Sequence, residues 1–421
     1  MPPRGGRALR RAALLAGGLA LLACGLREIP EDARWRASAE ALRGLEFDSA
    51  VRIVAVDRSD VPALVRRELG AWRDPEFARR VRDAYAALGA WPAQLDPVSA
   101  VLELQGARLA GLYSPRRREL YMVGEPEDWN ESVVVHELVH ALQHRHFPRP
   151  IELLQGLRHN DDAAAALAAA AEGDATLTML RVQRGPSAHL PEDRVEAYRA
   201  ALRRDVEAPP GEFGKLPRLL RETLAFPYAE GLAQADRRFR SGGTSALNAL
   251  LREPPLSSLE VLDPEAGRSV EFVGLPLDWL QGRVDAACRV GHHNVAGALG
   301  LRSLLADHGR SAPGLPLAWR GDRFVHLDCS GRWEFVWLSR WSDAEAAERF
   351  AAHYAQIGAA VARSTPVASA PRPWREGRTL VLASAGVREL VPELIERTLL
   401  RSFDDFSAWV AADCFPESPC P

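Results

Sequence analysis

The amino-acid sequence predicts an α+β protein. Three observations carry this: helical apolar spacing dominates as far as Leu251, a hairpin signal interrupts it near residues 108–123, and a second hairpin followed by helix, strand and helix closes the chain. At 421 residues the chain exceeds one core of ordinary size. Pro254-Pro255 and Asp263-Pro264 punctuate it, so the expected division is 24–264 and 265–421, after a leader of residues 1–23. Hydrophobic residues make up 47% and charged residues 26%, a globular composition. Lys+Arg is 53 against Asp+Glu 56, a formal net charge of -3, which removes the electrostatic attraction expected of a nucleic-acid binder.

The first elements follow from local pattern. Val51 to Val56 is a β-branched run, and Val65, Leu69, Trp72, then Phe77, Val81, Ala84 and Leu88, recur at helical spacing. Arg108–Tyr113 and Glu119–Val123 read as strands around Pro115-Arg116-Arg117-Arg118. A helix capped by Asn130 runs to about Arg145, where Pro148 and Pro150 stop it. A second helix, capped at Asn160 or Asp161, crosses an alanine-rich stretch to about Gln183. Glu192–Leu251 is helical with breaks at Pro209-Pro210, Pro217 and Gly242-Gly243. Beyond the boundary, Arg323–Leu327 and Trp333–Leu338 form a hairpin around Ser330-Gly331. A helix at Ser342–Ile357, a strand at Thr379–Ala383 and a helix at Arg388–Phe403 complete the chain.

Arg4, Arg7, Arg10 and Arg11 precede an apolar run from Ala12 to Ala23, the pattern of an export signal. Its length, roughly 18 Å as a helix, falls short of a membrane span. Leu21-Leu22-Ala23-Cys24-Gly25 resembles the bacterial lipoprotein box. That resemblance implies lipidation of Cys24 and a mature protein tethered to a membrane outside the cytoplasm. Removing Cys24 from the five cysteines leaves Cys288, Cys329, Cys414 and Cys420, and the favoured pairings are Cys288–Cys329 and Cys414–Cys420.

The chemistry concentrates in Val133-Val134-Val135-His136-Glu137-Leu138-Val139-His140-Ala141-Leu142. On a helix, His136 and His140 lie one turn apart on one face, so both imidazoles can reach one ion. Glu137, rotated by about 100°, sits beside that ion. Such a carboxylate can take a proton from a zinc-activated water as it attacks a carbonyl. A catalytic zinc needs a third protein ligand. Glu172 is favoured, in Ala168-Ala169-Ala170-Ala171-Glu172-Gly173-Asp174-Ala175, with His144 and His146 as rivals. Gly173 within a helix costs about 1 kcal/mol relative to alanine, which a close backbone approach or a buried metal contact would explain. Asp174 is the candidate to hold a ligand imidazole by its other N–H, with Asp161 or Asp162 as alternatives.

His-Glu-Leu-Val-His-Ala-Leu-Gln followed by Glu172-Gly173-Asp174-Ala175 resembles the gluzincin class of zinc metallopeptidases. Within it the chain is similar to a group of little-characterised exported bacterial proteins. Gly111-Leu112-Tyr113, Leu120-Tyr121-Met122-Val123, Phe226-Pro227-Tyr228-Ala229-Glu230-Gly231 and Trp319-Arg320-Gly321-Asp322-Arg323 extend the likeness over most of the mature chain. The resemblance implies a zincin-like catalytic domain, Zn²⁺ held by His136, His140 and Glu172, and Glu137 as general base. It also implies a later residue that holds the oxyanion, for which Tyr228 is the candidate, against a role in packing. The strand Glu119–Val123, if at a sheet edge, could receive an extended polypeptide substrate.

Adjacent His292 and His293 would point to opposite faces of a strand, which speaks against a second metal pair. Trp319, Trp333, Trp337 and Trp341 read as the core of the second hairpin rather than a carbohydrate platform. The expectation is a lipid-anchored zinc peptidase. The alternative is a non-catalytic envelope lipoprotein with a structural metal site, and hydrolysis of a wall peptide cross-link would share the leading chemistry.

Overall fold

A computed structural model describes residues 26–310 and 312–413. Cys24, Cys414 and Cys420, and the residues 1–23 read as a leader, lie outside the described residues. The architecture is α+β, with two main sheets and one two-stranded ribbon among the described residues.

The first sheet has the order β1-β2-β4-β3, from β1 (Leu26–Ile29), β2 (Arg52–Val56), β3 (Gly111–Ser114) and β4 (Glu119–Val123). β2 runs parallel to β4 and antiparallel to β1, while β3 and β4 form the expected hairpin. Ile53, Val54, Ala55 and Val56 are all buried, because both faces of this sheet are covered. Helices α1 (Ala33–Arg43) and α3 (Glu131–His146) cover one face, where Ile53, Leu120 and Met122 meet Leu42, Val134, Val135, Leu138 and Leu142. β4 is an interior strand, so the edge expected at Glu119–Val123 belongs to β3 instead. The local pattern of β4 could not reveal that β2, far earlier in the chain, occupies its other side.

The second sheet, β6-β7-β8-β10-β9, is antiparallel throughout: β6 (Cys288–Asn294), β7 (Trp319–Cys329), β8 (Arg332–Trp341), β9 (Arg372–Glu376) and β10 (Thr379–Ala383). Ser330 and Gly331 adopt φ of 57° and 89°, the left-handed pair that a two-residue hairpin turn requires. Cys288 and Cys329 are cross-strand partners joined by a disulfide, as expected. The four tryptophans of this region are buried core residues. The helix expected at Ser342–Ile357 continues to Ser364. The helix expected at Arg388–Phe403 is a 3₁₀ turn, a short helix Val391–Arg397 and strand β11 (Leu399–Arg401), which pairs with β5 (Phe272–Gly274). Pro392 explains the break, since proline fits only the first turn of a helix.

Three long helices frame the candidate site: α4 (Asp161–Arg181), α5 (Glu192–Glu207) and α6 (Arg218–Arg252). In α6, Gly242 and Gly243 leave helical geometry, at the interruption read from the sequence. The largest apolar cluster does not respect the division near Pro264. Phe77, Val81, Tyr85 and Leu88 from α2 (Pro75–Leu88) pack with Phe324, Trp337, Phe350 and Tyr354. At the chain end Phe406, Trp409 and Val410 return to Ala163 and Leu167 of α4. No helix of the described residues is long and apolar enough to cross a membrane.

Candidate metal centre

Asn130 begins α3 by accepting a hydrogen bond from Ser132 N–H, and Asn160 begins α4 by accepting one from Ala163 N–H. These caps set the register in which His136, His140 and Glu172 face one point. The Nε2 atoms of His136 and His140 are 3.1 Å apart, and each is 3.3 Å from Glu172 Oε2. Two imidazole nitrogens cannot face each other at this distance as two lone pairs; a cation or a shared proton must lie between them. For ligands at about 2.0–2.1 Å, a tetrahedral ion needs donor atoms roughly 3.3 Å apart. The triangle fits one face of that tetrahedron, so these residues suit a zinc ion. Among the described residues this is the one His/Cys/Asp/Glu group that converges closely enough for a metal. His144 and His146 do not join it. His144 Nδ1 lies 3.0 Å from Tyr113 Oη, and His146 Nε2 lies 2.9 Å from Glu46 O.

The electrostatics follow from burial and from the crowding of charge. Burial opposes ionisation of Glu172, but the imidazoles of His140 and His136 win and hold its carboxyl far below the usual range. Burial alone would lower His140, whereas the Glu172 carboxylate beside it holds that imidazole at about 9. Glu137 is raised, chiefly by burial, against the pull of His136 and His140. Its Oε2 accepts a 2.8 Å hydrogen bond from Tyr113 N–H on the edge strand β3. Gly111 leaves room for this approach, since a Cβ there would lie 2.8 Å from Glu137 Cγ.

Tyr228 reaches the site from α6. Its ring is nearly parallel to that of His136, with centroids 6.4 Å apart and an interplanar angle of 20°. Its phenol is raised well above the ordinary value, first by the Glu172 carboxylate and then by burial. The crossing of α4 with α6 makes this possible. A Cβ on Gly173 would lie 2.2 Å from Gly231 O, and one on Gly231 would lie 2.2 Å from Ala169 O. Close backbone approach therefore accounts for the glycine within α4.

Asp174 does not touch a ligand imidazole, contrary to expectation. Gln143 stands between: its Oε1 is 2.9 Å from His140 Nδ1, and its Nε2 donates to Asp174 Oδ2 at 2.9 Å and Ala171 O at 2.8 Å. Asp174 also pairs with Arg43, both fully buried, and Arg43 donates to Asn248 Oδ1. The alternatives, Asp161 and Asp162, accept hydrogen bonds from Tyr85 and Ser258 instead. Two residues escaped the sequence reading. Gln143 could have been found, lying three residues from His140 on the same helical face. Tyr198 of α5 carries no such signal; burial and then the Glu172 charge raise its phenol.

His292 and His293 do not diverge as strand alternation predicts: a register irregularity between Val290 and His292 brings their rings to 6.2 Å, and His159 contacts both. His292 is the cross-strand partner of His326, while His293 stacks on His159 at 4.1 Å. No family model matches the chain, and neither does any curated protein or solved structure.

Proposed function

We propose that the protein is a zinc-dependent peptide hydrolase of gluzincin type, with a zincin-like catalytic region. The triangle of His136 Nε2, His140 Nε2 and Glu172 Oε2 supports this reading most directly. A zinc ion held there would supply Lewis acidity and make a water acidic enough to lose its proton near neutral pH. Glu137 is the base. Tyr113 N–H fixes its Oε2, leaving Oε1 to take the proton and deliver it to the departing amide nitrogen. Its raised pKa brings it nearer the working pH, where proton transfer in both directions is efficient. The Tyr228 hydroxyl stays protonated and can donate to the oxygen that gains charge as the carbonyl is attacked. A structural metal site would need no base beside it, and this favours catalysis.

Edge strand β3 supports a polypeptide as substrate. Tyr113 N–H points away from β4 to reach Glu137, so the groups at Gly111 and Tyr113 that face away from β4 adjoin the site. The basic head, the apolar run and the Leu21–Gly25 box support export and a lipid anchor on Cys24. A disulfide at Cys288–Cys329 suits an oxidising compartment.

Metal analysis and peptide-library cleavage, comparing the wild type with Glu137→Gln, test the proposal. The expected result is stoichiometric zinc in both proteins and cleavage by the wild type alone. Zinc bound without cleavage by either would favour the envelope factor with a structural metal. Undiminished zinc in His136→Ala would overturn the ligand set.

A further inference from the structure

The turn that joins edge strand β3 to β4 is Pro115-Arg116-Arg117-Arg118, with all three arginines exposed. None of their guanidinium groups makes a hydrogen bond or ion pair among the described residues. By contrast Arg145, on the neighbouring α3, is paired with Asp48 at 2.7 Å. The turn is closed by Arg118 N–H donating to Ser114 O at 2.8 Å. Arg118 sits at φ 54°, where glycine or asparagine would be easier, so its side chain is kept at a cost of about 1 kcal/mol or more. Its charge acts on the Tyr113 phenol and on His144, after burial in each case, and so reaches the side chains next to the metal site.

We infer that this arginine turn selects polypeptide substrates with acidic side chains a few residues from the bond to be cut. The inference rests on the peptide-hydrolase reading of the metal centre. A strand rises about 3.3 Å per residue. A peptide lying along β3 with its target bond beside Glu137 passes Ser114 and meets the turn within two to four residues. There its Asp or Glu side chains would find three unpaired guanidinium groups on one side of the target bond. An anionic membrane is the weaker candidate for the same patch. Three arginines contribute about 1 kcal/mol each at a lipid surface, below the clusters of four to eight that recognise headgroups.

The test uses the full zinc-loaded chain and decapeptides of neutral background carrying two glutamates at each successive position about the cleaved bond. Glutamates two to four residues away on one side should raise kcat/KM by about threefold to tenfold at low salt, since exposed pairs are individually weak. The effect should vanish in the triple variant R116Q/R117Q/R118N while the neutral peptide is cut as before. An unchanged acidic-to-neutral ratio in the triple variant overturns the inference. If no peptide is cut, the hydrolase reading has failed, and fluorescence anisotropy of the same decapeptides decides the turn separately. Tighter binding of the acidic peptide, lost in the triple variant, upholds its selectivity; equal binding sinks it. Flotation with phosphatidylserine vesicles that depends on the arginines, without discrimination among peptides, overturns it in favour of a membrane surface.

Discussion

Gln143 Oε1 lies 2.9 Å from His140 Nδ1, one turn further along the same helix. Because the Gln143 amide nitrogen already donates to Asp174 and Ala171, its oxygen must be the acceptor, and His140 Nδ1 the donor. That assigns the tautomer in which Nε2 is free to bind a metal. Gln143→Leu should therefore lower zinc affinity about 10- to 100-fold, as loss of a ligand's orienting partner does elsewhere. Competition titration with a zinc chelator measures it, beside thermal melting of the metal-free protein. Unaltered affinity in a folded Gln143→Leu variant would show that the amide does not orient the imidazole.

Gly173→Ala tests the helix crossing. The added Cβ meets Gly231 O at 2.2 Å, so α4 and α6 must part. Overpacking of this kind costs about 1–3 kcal/mol, and a backbone obstacle places it at the upper end. A lowered urea midpoint is expected, along with weaker zinc binding, because Glu172 and Tyr228 ride on the two helices. An equal midpoint would mean that the helices can separate freely.

Tyr228→Phe keeps the ring against His136 and removes only the hydroxyl. Zinc content should remain unchanged while kcat falls about 10²- to 10³-fold, the usual loss for one oxyanion donor. A parallel rise in KM with kcat intact would instead assign Tyr228 to substrate binding.

The second histidine group predicts acid sensitivity. His159, His292, His293 and His326 gather where the start of α4 meets β6 and β7, with Arg79, Arg80, Arg323 and Asp328 around them. Burial lowers all four, and holds His326 at about 4, against the partial opposition of Asp328. Both ring nitrogens of His326 are buried without partners, so its neutral form is the one the fold accepts. A depressed folded-state value means that the unfolded chain binds protons first. The stability is fully present above about pH 6.5 and is lost as pH falls towards 4, by about 3 kcal/mol for His326 alone. Denaturant midpoints measured between pH 7.5 and 4.5 should show this loss, and His326→Phe should flatten the curve.

Legibility in the sequence followed the range of the interaction concerned. Asn130, Asn160 and Pro148 act within a turn of themselves, so the bounds of α3 and α4 were readable within a few residues. His136, Glu137 and His140 depend only on helical phase. Glu172 required one further step, from one helix to the next. The order of the first sheet was not readable, because β2 pairs with β4 across intervening helices. Asp174 was placed in the right neighbourhood with the wrong partner. Its distance from His140 is set by packing, and Gln143 fills the gap.

The apolar cluster that joins α2 to the second sheet has a practical consequence. Tyr354 Oη donates to Leu88 O at 3.1 Å inside it, so residues from either side of the chain's midpoint complete each other's interior. Neither portion can be shed or exchanged as a module. A proteolytic nick beside exposed Pro264 and Glu265 would leave a two-chain molecule that travels as one particle until it is denatured.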